Sequence, residues 1–174
     1  MSPEQVREFY KFATMATAGT KLFPATLVTQ LILESGPNLS GLARRANNYF
    51  GIKAGTAWTG PVISMTTAEV INGKRQVFQG TGKIYNSRRE ALEDKANFQT
   101  LFRVYANTTE GFKGWVSFLQ NNRRYSDAGV FRATDPVEQF AALARAGYAT
   151  DTRYLAKLTA VYNKYKQFFF WRQP

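Results

Sequence analysis

One stretch of β-rich sequence interrupts a chain otherwise written in helical periods, and this confines the fold to a mainly α member of the α+β class. Gly, Thr and β-branched residues dominate between positions 55 and 82. Asn72-Gly73 stands there between short alternating segments, a strong local signal for a two-residue hairpin turn. Strands are expected near 64–70 and 75–79. On either side the spacing is that of amphipathic helices. Ser2-Pro3-Glu4-Gln5 reads as a capping box with Pro in the first turn, followed by Val6, Phe9, Tyr10 and Ala13 on one face. A second helix starts at Pro24, carries Leu27, Val28, Leu31 and Ile32, and stops at Glu34-Ser35-Gly36-Pro37. A third runs from Gly41 to Asn47 and turns at Asn47-Asn48-Tyr49-Phe50-Gly51. Residues 86–97 read as a charged, weakly helical surface excursion and Phe98 to Tyr105 as an extended segment. Asn107 and Asp135 each open a further helix, the second stopping at Gly147. The last helix places Tyr154, Leu155, Leu158, Val161, Tyr162 and Tyr165 on one stripe. With 174 residues, 44% of them hydrophobic, positions 1–174 are expected to form one domain with a substantial core.

The chain contains no Cys and no His. That removes a disulfide frame, thiol or Ser–His machinery and the usual zinc ligands, so no cofactor or metal is expected. If the chain is an enzyme, its proton transfers fall to carboxylates, of which there are twelve. The net charge is +11, but Lys and Arg are scattered, with only the pairs Arg44-Arg45, Arg88-Arg89 and Arg123-Arg124. No basic block marks a nucleic-acid site, which leaves an anionic wall polymer, a membrane surface or plain solubility as the reason for the charge. The first residues show none of the basic leader, apolar core and cleavage site of an export signal, and no run reaches membrane-spanning length. The expectation is a leaderless chain without a transmembrane segment.

Most of the acids have ordinary explanations. Glu4, Glu110, Asp135, Glu138 and Asp151 sit at helix starts, where an acid meets orphan N–H groups and the helix dipole. Glu8, Glu90, Glu93 and Asp94 lie on charged faces, and Asp127 in a polar loop. Glu34 is different. A 100° step per residue returns it to within about 20° of Leu27, so its carboxyl emerges from the apolar stripe at a helix C-terminus. Desolvation and the dipole both oppose its ionisation. A carboxylic acid held protonated near neutral pH is what a departing sugar oxygen needs. The competing reading is a buried Glu hydrogen-bonded to backbone or to Gln30 one turn back. Glu69 lies on the strand before Asn72-Gly73. It is either a solvent-facing acid or a second carboxylate presented across a groove.

At these residues the sequence resembles the bacterial peptidoglycan β-N-acetylglucosaminidases of glycoside hydrolase family 73. Leu33-Glu34-Ser35-Gly36, then Ser40, Leu42-Ala43 and Asn47-Asn48-Tyr49-Phe50-Gly51-Ile52-Lys53 are similar to the family's acid-bearing helix and its following signature. Thr66-Thr67, Glu69 and Asn72-Gly73 resemble its hairpin, and Phe102-Arg103-Val104-Tyr105 its next strand. Asn122, Arg124 and Tyr125, then Ala146 to Asp151, Tyr154 and Lys157-Leu158 match its C-terminal elements in order. The resemblance implies a lysozyme-like helical domain whose small β-hairpin lobe flanks a glycan groove. It implies hydrolysis of the β-1,4 bond between N-acetylglucosamine and N-acetylmuramic acid. Glu34 matches the general acid, Glu69 the second Glu on the hairpin, and Tyr148 a tyrosine near the groove. Asn48, Tyr49, Phe50, Trp58, Arg103 and Tyr125 are the residues expected to touch substrate, with core filling the alternative for Phe50 and, outside the resemblance, for Tyr148.

Three departures accompany the match. Pro37 replaces a common aromatic, Gly114 falls where an Asp is common, and residues 79–100 read as an insertion. The expected partner is the peptidoglycan glycan strand. The leaderless reading adds a phage-associated lysin or a toxin delivered by a contact-dependent secretion machine such as type VI, with an immunity or inhibitor protein occupying the groove. Two other readings stay open: a lytic transglycosylase or muramidase on the same fold, and a non-catalytic wall- or polyanion-binding module. The ending Phe168-Phe169-Phe170-Trp171 either packs back on the domain or forms a docking tail.

Overall fold

The computed structural model describes residues 1–36 and 38–169; Pro37, Phe170 and Trp171, singled out above, lie outside them. The helices are α1 (Pro3–Thr17), α2 (Pro24–Ser35), α3 (Gly41–Ala46), α4 (Arg88–Glu93), α5 (Thr108–Gln120), α6 (Arg123–Asp127), α7 (Pro136–Arg145) and α8 (Tyr154–Tyr165). The strands are β1 (Val62–Ser64), β2 (Thr67–Ile71), β3 (Lys74–Phe78), β4 (Ile84–Tyr85) and β5 (Leu101–Arg103). A mainly helical body and a β lobe result, the lysozyme-like α+β arrangement expected.

Local chemistry sets the helix ends. Ser2 Oγ accepts from Gln5 N at 3.3 Å while Gln5 Oε1 accepts from Ser2 N at 2.9 Å, the reciprocal capping box at α1. Asp135 caps α7 through Val137 N and Glu138 N at 2.7 and 2.9 Å. The centre of the body is α2, which packs against α1, α7 and α8. Leu27, Val28 and Leu31 are fully enclosed there, in one core with Phe112, Trp115 and Leu143. Phe23, before α2, has no side-chain cap, but its N–H is taken by Gln139 Oε1 at 3.0 Å. The same Gln139 amide donates to the Lys21 and Val130 carbonyls, so α7 fixes the entry to α2. In α8 Tyr154 and Leu158 are buried, whereas Leu155 turns outward and is 37% exposed, narrowing the expected stripe. Phe169 packs back on the body, its ring stacked on Tyr10 at 5.4 Å.

The β lobe departs from expectation in three respects. The strand expected over 64–70 is split. Val62, Ile63 and Ser64 form the centre of a three-stranded antiparallel sheet in the order β4-β1-β5, and β2 pairs only with β3. All three β1 residues are buried, so no alternation announces the strand. Gly80 closes the junction: a Cβ there would meet Met65 backbone carbon at 2.4 Å. The segment 79–100 is built into this sheet. It supplies β4 and α4, and Ala91 and Ala96 are buried against Val62, Tyr85 and Leu101, so the reading of 86–97 as a surface excursion is corrected. Phe98–Thr100 is a turn of 3-10 helix before β5, where an extended chain was expected.

Candidate active site

Glu34 sits in the last turn of α2, which ends where Gly36 takes φ +64 and returns its N–H to the Ile32 carbonyl at 3.0 Å. Its Oε1 accepts a long hydrogen bond, 3.4 Å, from the Tyr154 hydroxyl. That hydroxyl accepts from Gln30 Nε2 at 2.7 Å, so Gln30 reaches the acid only through the phenol. Tyr148 stacks on Tyr154, ring centres 5.9 Å apart and 11° from parallel. The surrounding protein atoms push the Glu34 pKa up, and the Tyr154 hydrogen bond partly opposes them. Glu34 is nevertheless exposed, which corrects the expectation of a poorly hydrated group. It lies just past the buried run ending at Ile32, so one side of the carboxyl faces protein and the other faces open solvent. Burial also holds the Tyr148 and Tyr154 phenols well above their ordinary pKa, and a negative charge on Glu34 would raise both further. Both remain neutral hydroxyls.

Glu69 lies mid-strand in β2, opposite Gln76. It is ion-paired rather than simply solvated: Lys53 Nζ stands 2.8 Å from its Oε1, and Thr67 Oγ1 donates to the same oxygen at 3.2 Å. The hydrogen bond from Lys53 is the main reason its pKa falls below the usual glutamate value. Lys53 is itself well placed. Its ammonium donates to the Gln99 carbonyl at 2.5 Å and lies 4.1 Å from the centre of the Phe102 ring, while Arg103 Nε holds its carbonyl at 3.2 Å.

A cavity of about 260 Å³ is bordered by Phe50, Lys53, Phe118, Arg124, Tyr125 and Tyr148, with neither acid in its lining. It reaches the Glu34 network through Tyr148 and the Glu69 network through Lys53. Arg124 donates to the Tyr125 hydroxyl at 2.5 Å and lies over that ring. Aromatic rings, an arginine and a lysine thus border a cleft whose Tyr148 and Lys53 each contact one carboxylate system. Of the residues expected to touch substrate, Phe50 and Tyr125 line this cleft. Asn48 does not: it is buried, and its amide is consumed by Ile52 N, Ile52 O and the Arg103 carbonyl, all at 2.9 Å. Tyr49 is a core residue, packed against Phe9 and Phe112 with its hydroxyl on Thr108. Trp58 and Arg103 stack on each other at 4.7 Å and border a neighbouring cavity with Tyr105.

Sequence reasoning missed Lys53, Tyr154, Gln30, Phe118 and Arg124 as parts of the site. Tyr154 and Lys53 stood inside the quoted motifs, but only the tertiary fold aims them at the two acids. Among the described residues, no three His, Cys, Asp or Glu side chains gather closely enough to hold a metal ion.

Two carboxyl groups whose surroundings push their proton affinities in opposite directions, each linked to the wall of a cleft with aromatic rings, are the kind of pair that glycosidase chemistry uses. Residues 10–167 match the glucosaminidase family model, described as mannosyl-glycoprotein endo-β-N-acetylglucosaminidase. The chain belongs to this family, glycoside hydrolase family 73. It is 35% identical over 144 residues to the peptidoglycan hydrolase FlgJ of Salmonella typhimurium, covering 80% of this chain and 39% of FlgJ. It is 32% identical to the exo-glucosaminidase LytG of Bacillus subtilis, covering 83% of this chain and 44% of LytG. The chain therefore spans less than half the length of these relatives. A mutant peptidoglycan hydrolase from Sphingomonas sp. A1 superposes with a TM-score of 0.68 at 27% identity, covering 96% of this chain and 97% of that one.

Proposed function

We propose that the chain hydrolyses peptidoglycan at the β-1,4 bond between N-acetylglucosamine and N-acetylmuramic acid. Glu34 donates its proton to the departing sugar oxygen, which is a poor leaving group until protonated. Glu69, kept ionised by Lys53, assists the attacking water or the sugar's own acetamido group and stabilises positive charge developing at the anomeric carbon. Tyr154 holds the acid by its hydroxyl, and Tyr148, stacked on it, supplies part of the cleft wall. The observation that carries this reading is the pair of differently partnered carboxyls, Glu34 on the Tyr154 hydroxyl and Glu69 on the Lys53 ammonium, each joined to a residue of one cleft.

Glu34→Gln should lower the rate of sacculus digestion by about 100- to 10,000-fold, the usual worth of a positioned general acid, with the fold retained. Mass spectrometry of the products decides the bond, from which sugar carries the new reducing end. Anhydro sugars in place of reducing ends, with Glu69→Gln still active, would make the chain a lytic transglycosylase; binding without turnover would make it a wall-binding module. The Lys53 clamp on Glu69 favours hydrolysis, because a transglycosylase has no water to activate. The proposal extends to delivery as a lysin or antibacterial toxin acting on the wall, with an inhibitory partner plugging the cleft. Co-purification of the chain with the product of an adjacent gene tests that part.

A further inference from the structure

Gln30 is fully enclosed and stands one helical turn before Glu34 on the same face of α2. An amide in such a place costs stability unless both of its ends are paired. Only one is. Nε2 donates to the Tyr154 hydroxyl at 2.7 Å, while Oε1 has no hydrogen-bond partner among the described residues. Leu or Met would fill the same space between α2 and α8 without stranding a carbonyl. The donor nitrogen is therefore the part of this side chain that needs a reason.

An amide nitrogen has no lone pair to offer, so the contact runs one way: Gln30 gives and the Tyr154 oxygen receives. A phenol has one proton, and one side of this oxygen is already taken. The ring has nowhere to swing, because Tyr154 is 4% exposed and stacked on Tyr148. The proton is left for Glu34 Oε1, 3.4 Å away. We propose that Gln30 is a positioning residue: by occupying the Tyr154 oxygen it commits the phenol's proton to Glu34 and keeps the tyrosine a donor throughout the reaction. The inference rests on the hydrolase reading above, with Glu34 as the acid. A donor at this point favours the carboxylate left behind once the proton has passed to the departing sugar oxygen. Released from Gln30, the same hydroxyl could turn and accept from neutral Glu34, holding the proton on the acid. The other titratable groups facing this pair are Tyr148, from the segment between α7 and α8, and Tyr125 of α6, and burial raises the pKa of both phenols. Among the described residues Tyr154 is the one partner that shifts the proton affinity of Glu34, so no charged group competes with it.

The test is a carboxyl-carbon NMR titration of Glu34 in the full chain, run on wild type, Gln30→Met, Tyr154→Phe and the double variant. Met keeps the volume and removes the amide. Gln30→Met should move the Glu34 midpoint to higher pH, and should move it no further once Tyr154 is Phe. The alkaline limb of kcat should follow. At the optimum kcat should fall by about threefold to tenfold with KM unchanged, because Gln30 is absent from the cleft lining. An equal shift in both backgrounds would make Gln30 a packing residue, and a downward shift would mean that its amide takes the phenol's proton. Either result overturns the proposal, as does no shift. If Gln30→Met does not fold, the side-chain amide signals of Gln30 in the wild type decide the question. They should titrate with Glu34 and cease to do so in Tyr154→Phe; amide signals indifferent to Glu34 contradict the proposal. Full activity in Glu34→Gln would sink the hydrolase reading and leave this coupling standing, since the titration needs no turnover.

Discussion

Glu34 and Glu69 are the same residue type placed in opposite circumstances, and the difference comes from neighbours that the sequence does not put beside them. Glu34 was legible because helical spacing alone carries it from an apolar stripe to a helix C-terminus. Its exposure was not, because that depends on where α8 and Tyr148 stop covering it. Glu69 was legible only as an acid on a hairpin, since Lys53 is sixteen positions away and is aimed by β5. A general acid works below its own pKa and an ionised carboxylate above its own. Activity should therefore fall at low pH as Glu69 gains a proton and at high pH as Glu34 loses one. Tyr154→Phe removes the hydrogen bond that favours the Glu34 anion, so the alkaline limb should move to higher pH. Lys53→Met removes the main cause of the low Glu69 pKa, so the acid limb should move up as well. A pH–rate profile of kcat/KM for both variants checks the two directions independently.

At the scale of elements, signals carried by local backbone chemistry were readable and signals carried by burial were not. The hairpin turn announces itself because Asn72 and Gly73 both adopt positive φ, +51 and +73, as a type I′ turn requires. The capping residues Ser2, Ser40, Asn107 and Asp135 all start helices as read. β1 and β4 escaped notice because one is buried on both faces and the other is two residues long. The glycine that replaces a common aspartate now has a physical reason. A Cβ at Gly114 would stand 2.4 Å from the Tyr105 ring, so α5 can pack on β5's following residues only without a side chain there. Gly114→Asp should destabilise by about 1–3 kcal/mol through overpacking, read as a lower Tm in thermal unfolding. Unchanged Tm would mean that Tyr105 swings aside freely.

Over the whole molecule, periodicity pointed to the class of architecture and composition to the charge, while the lining of the cleft emerged only from packing. The chain carries a net charge of +11, its Lys and Arg scattered along the sequence. This charge is suited to drawing the chain toward an anionic wall, and salt should weaken that attraction. Screening shortens from about 30 Å at 0.01 M to about 8 Å at 0.15 M ionic strength. Digestion of intact sacculi should slow over that range, and hydrolysis of short uncharged glycan fragments should change little. Comparable slowing on both substrates would place the salt effect in the cleft itself. The chemistry at the centre, however, depends on the two carboxyl groups holding protons with different strength. The direct test is a carboxyl-carbon NMR titration of the wild type, assigned by Glu34→Gln and Glu69→Gln. Glu34 should titrate above the ordinary glutamate value and Glu69 below it. Equal midpoints, or a Glu34 midpoint below that of Glu69, would contradict the division of labour between them.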